Sequence, residues 1–113
     1  MTKRMLSAFC FLFLVSSQVY AATWHSSTIK KIYPLGSGSV VLLFETDSPA
    51  CTNGSTPKYY YINVGANSMT AEGRDALLSV ALTAAATGKQ VSINFDETSD
   101  SCDINRLSVD FGS

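Results

Sequence analysis

Few groups in this sequence carry reactive chemistry: three cysteines (Cys10, Cys51 and Cys102), a single histidine (His25), and a run of carboxylates at Asp96, Glu97, Asp100 and Asp103. Cys10 falls in a segment expected to be removed on export, which leaves Cys51 and Cys102. Two thiols in an oxidising compartment are expected to form one disulfide. It would close a loop of about 50 residues and contribute roughly 4 kcal/mol in the chain-entropy model. Neither cysteine has a second Cys or His close by in sequence, so no metal site is assigned. The acidic run has the oxygen ligands calcium prefers, but it lacks the spacing and the turn glycine of an EF-hand loop and reads as a solvated loop. Asn53-Gly54-Ser55 has the form of a glycosylation sequon and reads as a turn. His25 sits near the expected N-terminus without a nucleophile and a carboxylate to complete a triad. No catalytic residue and no cofactor is assigned, and an enzyme is not expected.

Aromatic side chains offer a different chemistry. Tyr59 and Tyr61 alternate onto one face of an expected strand over residues 58–64, with Tyr60, Ile62 and Val64 on the other. A tyrosine presents an apolar ring that stacks on the C–H face of a sugar, together with a hydroxyl that hydrogen-bonds. The competing role for the pair is packing against a loop or a neighbouring subunit.

The elements that position these residues follow from hydrophobic periodicity. A first strand over 27–33 has Ile29 and Ile32 out of strict alternation, the mark of a bulge or bend. The turn 34–38 leads to a strand over 39–45 that is apolar on both faces and therefore central. A Ser-, Pro- and Asn-rich loop over 47–57 holds Cys51. After the tyrosine strand comes a helix with Ser68 or Thr70 as its N-cap, Glu72 in its first turn and Gly88 as its stop. Residues 89–95 alternate cleanly, with Val91, Ile93 and Phe95 inward. The loop 96–103 carries Cys102, and a last strand over 105–111 is expected to bury Leu107, Val109 and Phe111. The fold class is mainly β with one helix. The order β-β-β-α-β-β is that of a five-stranded OB-fold-like barrel in which the helix plugs an open end; an open sheet packed on one helix has the same order.

The helix is apolar over more than half its circumference. Leu77, Leu78, Ala81, Leu82 and Ala85 form a stripe expected to face the sheet, and Ala76, Val80 and Ala84 extend it sideways. Asp75, Ser79, Thr83 and Ala86 form a narrow mixed strip. Alanine is the best helix former and needs no partner to explain it. Small residues also let a second subunit approach closely, so Ala76, Val80 and Ala84 are candidates for an oligomer interface.

Three pieces together, Thr23-Trp24-His25-Ser26-Ser27, Tyr59-Tyr60-Tyr61-Ile62 and Ala86-Thr87-Gly88-Lys89-Gln90-Val91-Ser92-Ile93, resemble the binding subunits of AB5 toxins of the subtilase-cytotoxin and pertussis-like kind. The resemblance implies small exported OB-fold subunits in a ring of five, helices lining the central pore, an enzymatic A subunit as partner, and binding of host-cell glycans, often sialylated. It makes Ser26 and Ser27 candidate glycan contacts beside Tyr59 and Tyr61. The chain departs from that family in having one possible disulfide and a short segment from Asp96 to Cys102.

The N-terminus places the protein. Lys3 and Arg4 precede an apolar core over 8–15, and Val19-Tyr20-Ala21 is a small-x-small cleavage site, so residues 1–21 read as a signal peptide, with cleavage after Ala22 as the alternative. The apolar core is too short to span a bilayer, and the run 76–86 is about half the length needed; no membrane insertion is expected. Residues 22–113 then form a single domain of a secreted or periplasmic bacterial protein. That part keeps six basic against nine acidic residues, a net charge of −3 compared with −1 for the whole chain. A nucleic-acid partner, which needs clustered Lys and Arg, is excluded on that sign. The expected function is a secreted, non-catalytic binding module, toxin B-like, recognising glycans as a homo-oligomer. The alternative is a periplasmic protein that binds or inhibits another protein without a glycan.

Overall fold

A computed structural model describes residues 21–112. The expected signal peptide, save Ala21, lies outside the described residues. The elements run β1 (Ala22–Pro34), β2 (Val40–Phe44), β3 (Tyr60–Ile62), α1 (Ala71–Thr87), β4 (Gln90–Asp96) and β5 (Ile104–Val109). All five strands join in one antiparallel sheet of spatial order β3-β2-β1-β4-β5. The expected barrel closure is replaced by an open sheet whose edges are β3 and β5. A single backbone bond approaches that closure, from the Tyr61 N–H to the Ser101 carbonyl at 3.2 Å.

β1 is longer than the sequence suggests and is shared between two halves of the sheet. Its residues 22–28 pair with β4, and from Ile29 onward it pairs with β2. The change of neighbour coincides with a bulge, because Ile29 faces Phe44 while Lys31 faces Leu43, leaving Lys30 extra. This is the irregularity that Ile29 and Ile32 signalled: one inserted residue bends the strand and increases its twist. His25, near the expected N-terminus, is held in β1 opposite Ile93, with its Nε2 2.7 Å from the Thr46 carbonyl.

The core lies between one face of the sheet and α1. Val40, Leu42, Phe44, Tyr60, Ile62, Val91, Ile93, Phe95 and Ile104 meet Ala81 and Ala84 there. Phe44 and Phe95 each contact the Tyr60 ring edge to face, at 5.0 and 5.6 Å between centroids, the arrangement favoured by aromatic quadrupoles. β3 is only three residues long, shorter than the expected 58–64. The last strand starts one residue earlier than expected, burying Ile104, and Phe111 lies beyond it, 55% exposed rather than buried.

Thr70 is the N-cap of α1: its Oγ1 accepts from the Gly73 N–H at 3.0 Å, which contributes about 1 kcal/mol. Gly88 ends the helix at φ 69°, where its N–H reaches the Ala84 and Ala85 carbonyls. A side chain there would meet the left-handed penalty that glycine avoids. The helix is rotated from the expected setting. Ala81 and Ala84 are buried, with Leu77 and Leu78 packed beside them, whereas Leu82 is 52% exposed and Ala85 also faces outward. Two methyl groups at the contact let the helix lie close to the sheet, and the larger Leu82 is left outside.

The loops around residues 51 and 102 are joined by the Cys51–Cys102 disulfide, with Cα atoms 5.7 Å apart. Among the described residues no helix is long and apolar enough to cross a membrane.

Candidate functional site

β2 has a second buried face, and this creates the site. Val41 and Leu43 point away from the α1 side yet are 0% and 7% exposed. Val41 pairs with Tyr33 on one side and Tyr61 on the other, so these three lie in one rung on one face. The two tyrosines cover the valine. Tyr59, just before β3, packs against both rings: it stands edge to face with Tyr33 at 6.1 Å and with Tyr61 at 6.4 Å. Lys31 places its Nζ 5.4 Å from the Tyr33 ring centre, within the range of a cation–π contact.

The outcome is a patch of three interlocked, half-exposed tyrosines with a lysine at its edge. Buried apolar surface below fixes the rings, and their outer faces and hydroxyls meet solvent. The neighbouring Tyr59 hydroxyl raises the Tyr33 phenol above its usual pKa, with partial burial and the charges of Tyr59 and Tyr61 adding to it. The Tyr33 phenol is therefore a neutral donor and acceptor at physiological pH. Such a surface suits a polyhydroxylated ligand with an apolar face.

Tyr59 and Tyr61 are thus together, as their alternation predicts. Tyr33 was not singled out from the sequence, although it joins them; its signal was a lone tyrosine on a strand 26 positions before Tyr59. Ser26 and Ser27 lie elsewhere, on the half of β1 that pairs with β4. Ser26 is exposed and shares a 2.7 Å hydrogen bond with the Ser92 hydroxyl. Ser27 is 3% exposed, and its Oγ accepts from the Thr46 N–H and hydroxyl at 3.1 and 3.0 Å, so it ties β1 to the strand end after β2. Of the interface candidates, Ala76 and Val80 are exposed, but Ala84 is fully buried against the sheet and belongs to the core.

The acidic loop is held by its own hydrogen bonds. Asp96 Oδ1 accepts from the Thr98 N–H and hydroxyl, and Asp103 accepts from Asn63 and Ser99. Among the described residues no group of three potential metal ligands comes together. Trp24 is 56% exposed on β1 and takes no part in the core.

No family model matches this chain, and neither a curated protein nor a solved structure does.

Proposed function

We propose that this chain is an exported, non-catalytic binding module that takes a glycan on the face formed by Tyr33, Tyr59 and Tyr61. The observation that carries the reading is the tyrosine patch itself: three rings locked edge to face over Val41, presenting ring faces and hydroxyls to solvent. Export is supported by the signal-like N-terminus and by the disulfide, a bond favoured in oxidising compartments. The reading extends to an OB-like architecture. Strand β1 is shared between the two halves of the sheet, and Asn63 after β3 donates to Asp103 before β5 at 2.9 Å, drawing the two edges together. OB-folds bind oligosaccharides through strands 2 and 3 and the adjacent loops; Tyr61 in β3 and Tyr59 just before it sit on that part of this sheet, and Tyr33 reaches them from β1. The resemblance to toxin binding subunits belongs to the same reading.

Glycan-array binding by the purified protein is the test. Tyr59→Ala is the informative variant, because Tyr59 lies outside the Val41 rung and its loss leaves the valine covered. It should weaken binding about tenfold or more, equivalent to about 1.4 kcal/mol, with the circular dichroism spectrum unchanged. Absence of binding across sialylated and neutral glycans would overturn the proposal.

A second reading, self-association, is favoured by the outer surface of α1. Ala76, Val80 and Leu82 are exposed there, and the hydroxyls of Ser79, Thr83 and Thr87 donate to the carbonyls of Asp75, Ser79 and Thr83 at 2.8–3.1 Å. Hydroxyls already paired inside the helix cost little to desolvate on association. Light scattering should give a mass several times that of the monomer, falling to one chain in Leu82→Glu; a wild-type monomer at high micromolar concentration rules this reading out.

A further inference from the structure

The opposite half of the sheet carries a separate cavity of about 360 Å³, lined by Ala22, Asn67, Ser68, Asn94, Asn105 and Arg106. Its volume lies within the range of small-ligand sites. Two irregularities build it. In β5, Arg106 faces Asn94 while Ile104 faces Phe95, so Asn105 is an extra residue in the ladder. Adjacent residues in a regular strand point to opposite faces; the bulge brings Asn105 and Arg106 to the same cavity. On the far wall, Asn67 and Ser68 both adopt left-handed backbone, at φ 52° and 62°. Non-glycine residues take that conformation at a cost. Here it is imposed by the Asn67 amide donating to the Asp103 carbonyl at 2.9 Å and by the Asn105 amide donating to the Asn67 carbonyl at 2.6 Å.

Asn94 is the central observation. It is only 9% exposed, yet its carboxamide makes no hydrogen bond to any described residue. No fully enclosed side-chain polar atom is left unpaired among those residues, so this amide reaches the cavity and meets what enters it. Beside it stands Arg106, exposed and without an ion-pair partner among the described residues. On its other side, Asn94 is the cross-strand partner of Trp24, whose ring is 56% exposed. A Trp, an Asn and an Arg therefore form one rung across β1, β4 and β5.

We infer that this rung and cavity bind a carboxylate-bearing saccharide unit. The Arg106 fork takes the carboxylate, the Asn94 amide donates to and accepts from adjacent hydroxyls, and Trp24 covers the apolar face of the ring. The site is distinct from the tyrosine patch and does not depend on it, since the two use opposite ends of β1 and different neighbouring strands.

Trp24 is the only tryptophan in the chain, so emission excited beyond the tyrosine absorption band reports on this site alone. Titration of the purified protein with D-glucuronate should give a saturable change with a dissociation constant of about 1 mM, and Arg106→Gln, at an exposed position, should weaken it about tenfold. The Asn94 and Asn105 side-chain amide NMR signals should shift over the same concentrations. D-glucose, which lacks the carboxylate, and acetate, which lacks the ring, should each give a far smaller response. A response to glucose equal to that of glucuronate, a response to acetate equal to it, an unchanged affinity in Arg106→Gln, or no saturable change with glucuronate up to about 50 mM would each overturn the assignment.

Discussion

Removal of the Cys51–Cys102 disulfide, by reduction or in a Cys51→Ala/Cys102→Ala double variant, is expected to lower the stability of the fold by about 4 kcal/mol. The bond closes a loop over a sequence separation of 51 residues, and loop-closure entropy at that length predicts this magnitude. Location adds to length. Cys51 and Cys102 are 1% and 0% exposed, and they tie together the two longest loops between strands, at the end of the sheet where no β3–β5 ladder closes the edge. Cys102 is also held at φ 45°, a conformation its neighbours have less reason to keep once the bond is gone. Asn53, which donates to Cys51 Sγ at 3.2 Å and to the Tyr59 carbonyl at 2.7 Å, links the bridge to the tyrosine patch. Reduction should therefore loosen the patch before the rest of the sheet. For a domain of this size 4 kcal/mol corresponds to a melting temperature lower by roughly 15–30 °C. Thermal unfolding with and without reductant measures it directly, and a difference of a few degrees would show that loop closure contributes little.

The disulfide was legible because the arithmetic left no other pairing after Cys10. Thr70 and Gly88 were legible because capping is local chemistry, decided by one side chain and one backbone angle. The bulge at Lys30 left its trace in the broken alternation of Ile29 and Ile32. By contrast, the rotation of α1 was hidden: with alanines and leucines on every side, periodicity does not say which of Ala84 and Leu82 faces the sheet, and close approach settled it. The apolar outer face of β2 was read as a sign of a central strand. What covers that face, Tyr33 from one neighbour and Tyr61 from the other, depends on register across three strands. The Asn94 cavity was further from view. The bulge at Asn105 interrupts no hydrophobic pattern, because Leu107 and Val109 still alternate, and nothing local distinguishes the left-handed turn at Asn67 and Ser68 from any polar loop. Sites made by irregular backbone leave the weakest trace in sequence.

Tyr60 should govern how the protein responds to alkali. Its ring is 0% exposed at the centre of the core, and its hydroxyl accepts from the Ser48 N–H at 2.8 Å and donates to Asp47 Oδ1 at 3.3 Å. Burial pushes its phenol up to about 12; the Asp47 charge and hydrogen bond add to the rise, and the Ser48 N–H opposes it. In the unfolded chain the same phenol titrates near 10. Between those two values the folded state keeps a proton that the unfolded state has released, so stability is fully present below about pH 10 and falls as pH rises toward 12. The slope is about 1.4 kcal/mol per pH unit, and the accumulated loss is of the order of 2–3 kcal/mol. Tyr60→Phe separates this from every other titration. At pH 8 the variant should be less stable by about 2 kcal/mol, because the buried Ser48 N–H loses its acceptor and Asp47 its donor. The two proteins differ in this one hydroxyl, so the difference between them isolates Tyr60. Urea unfolding at pH 8 and at pH 11.5 should show the gap closing as the wild type loses what the variant never had. A gap of the same size at both pH values would mean that the core tolerates the Tyr60 phenolate.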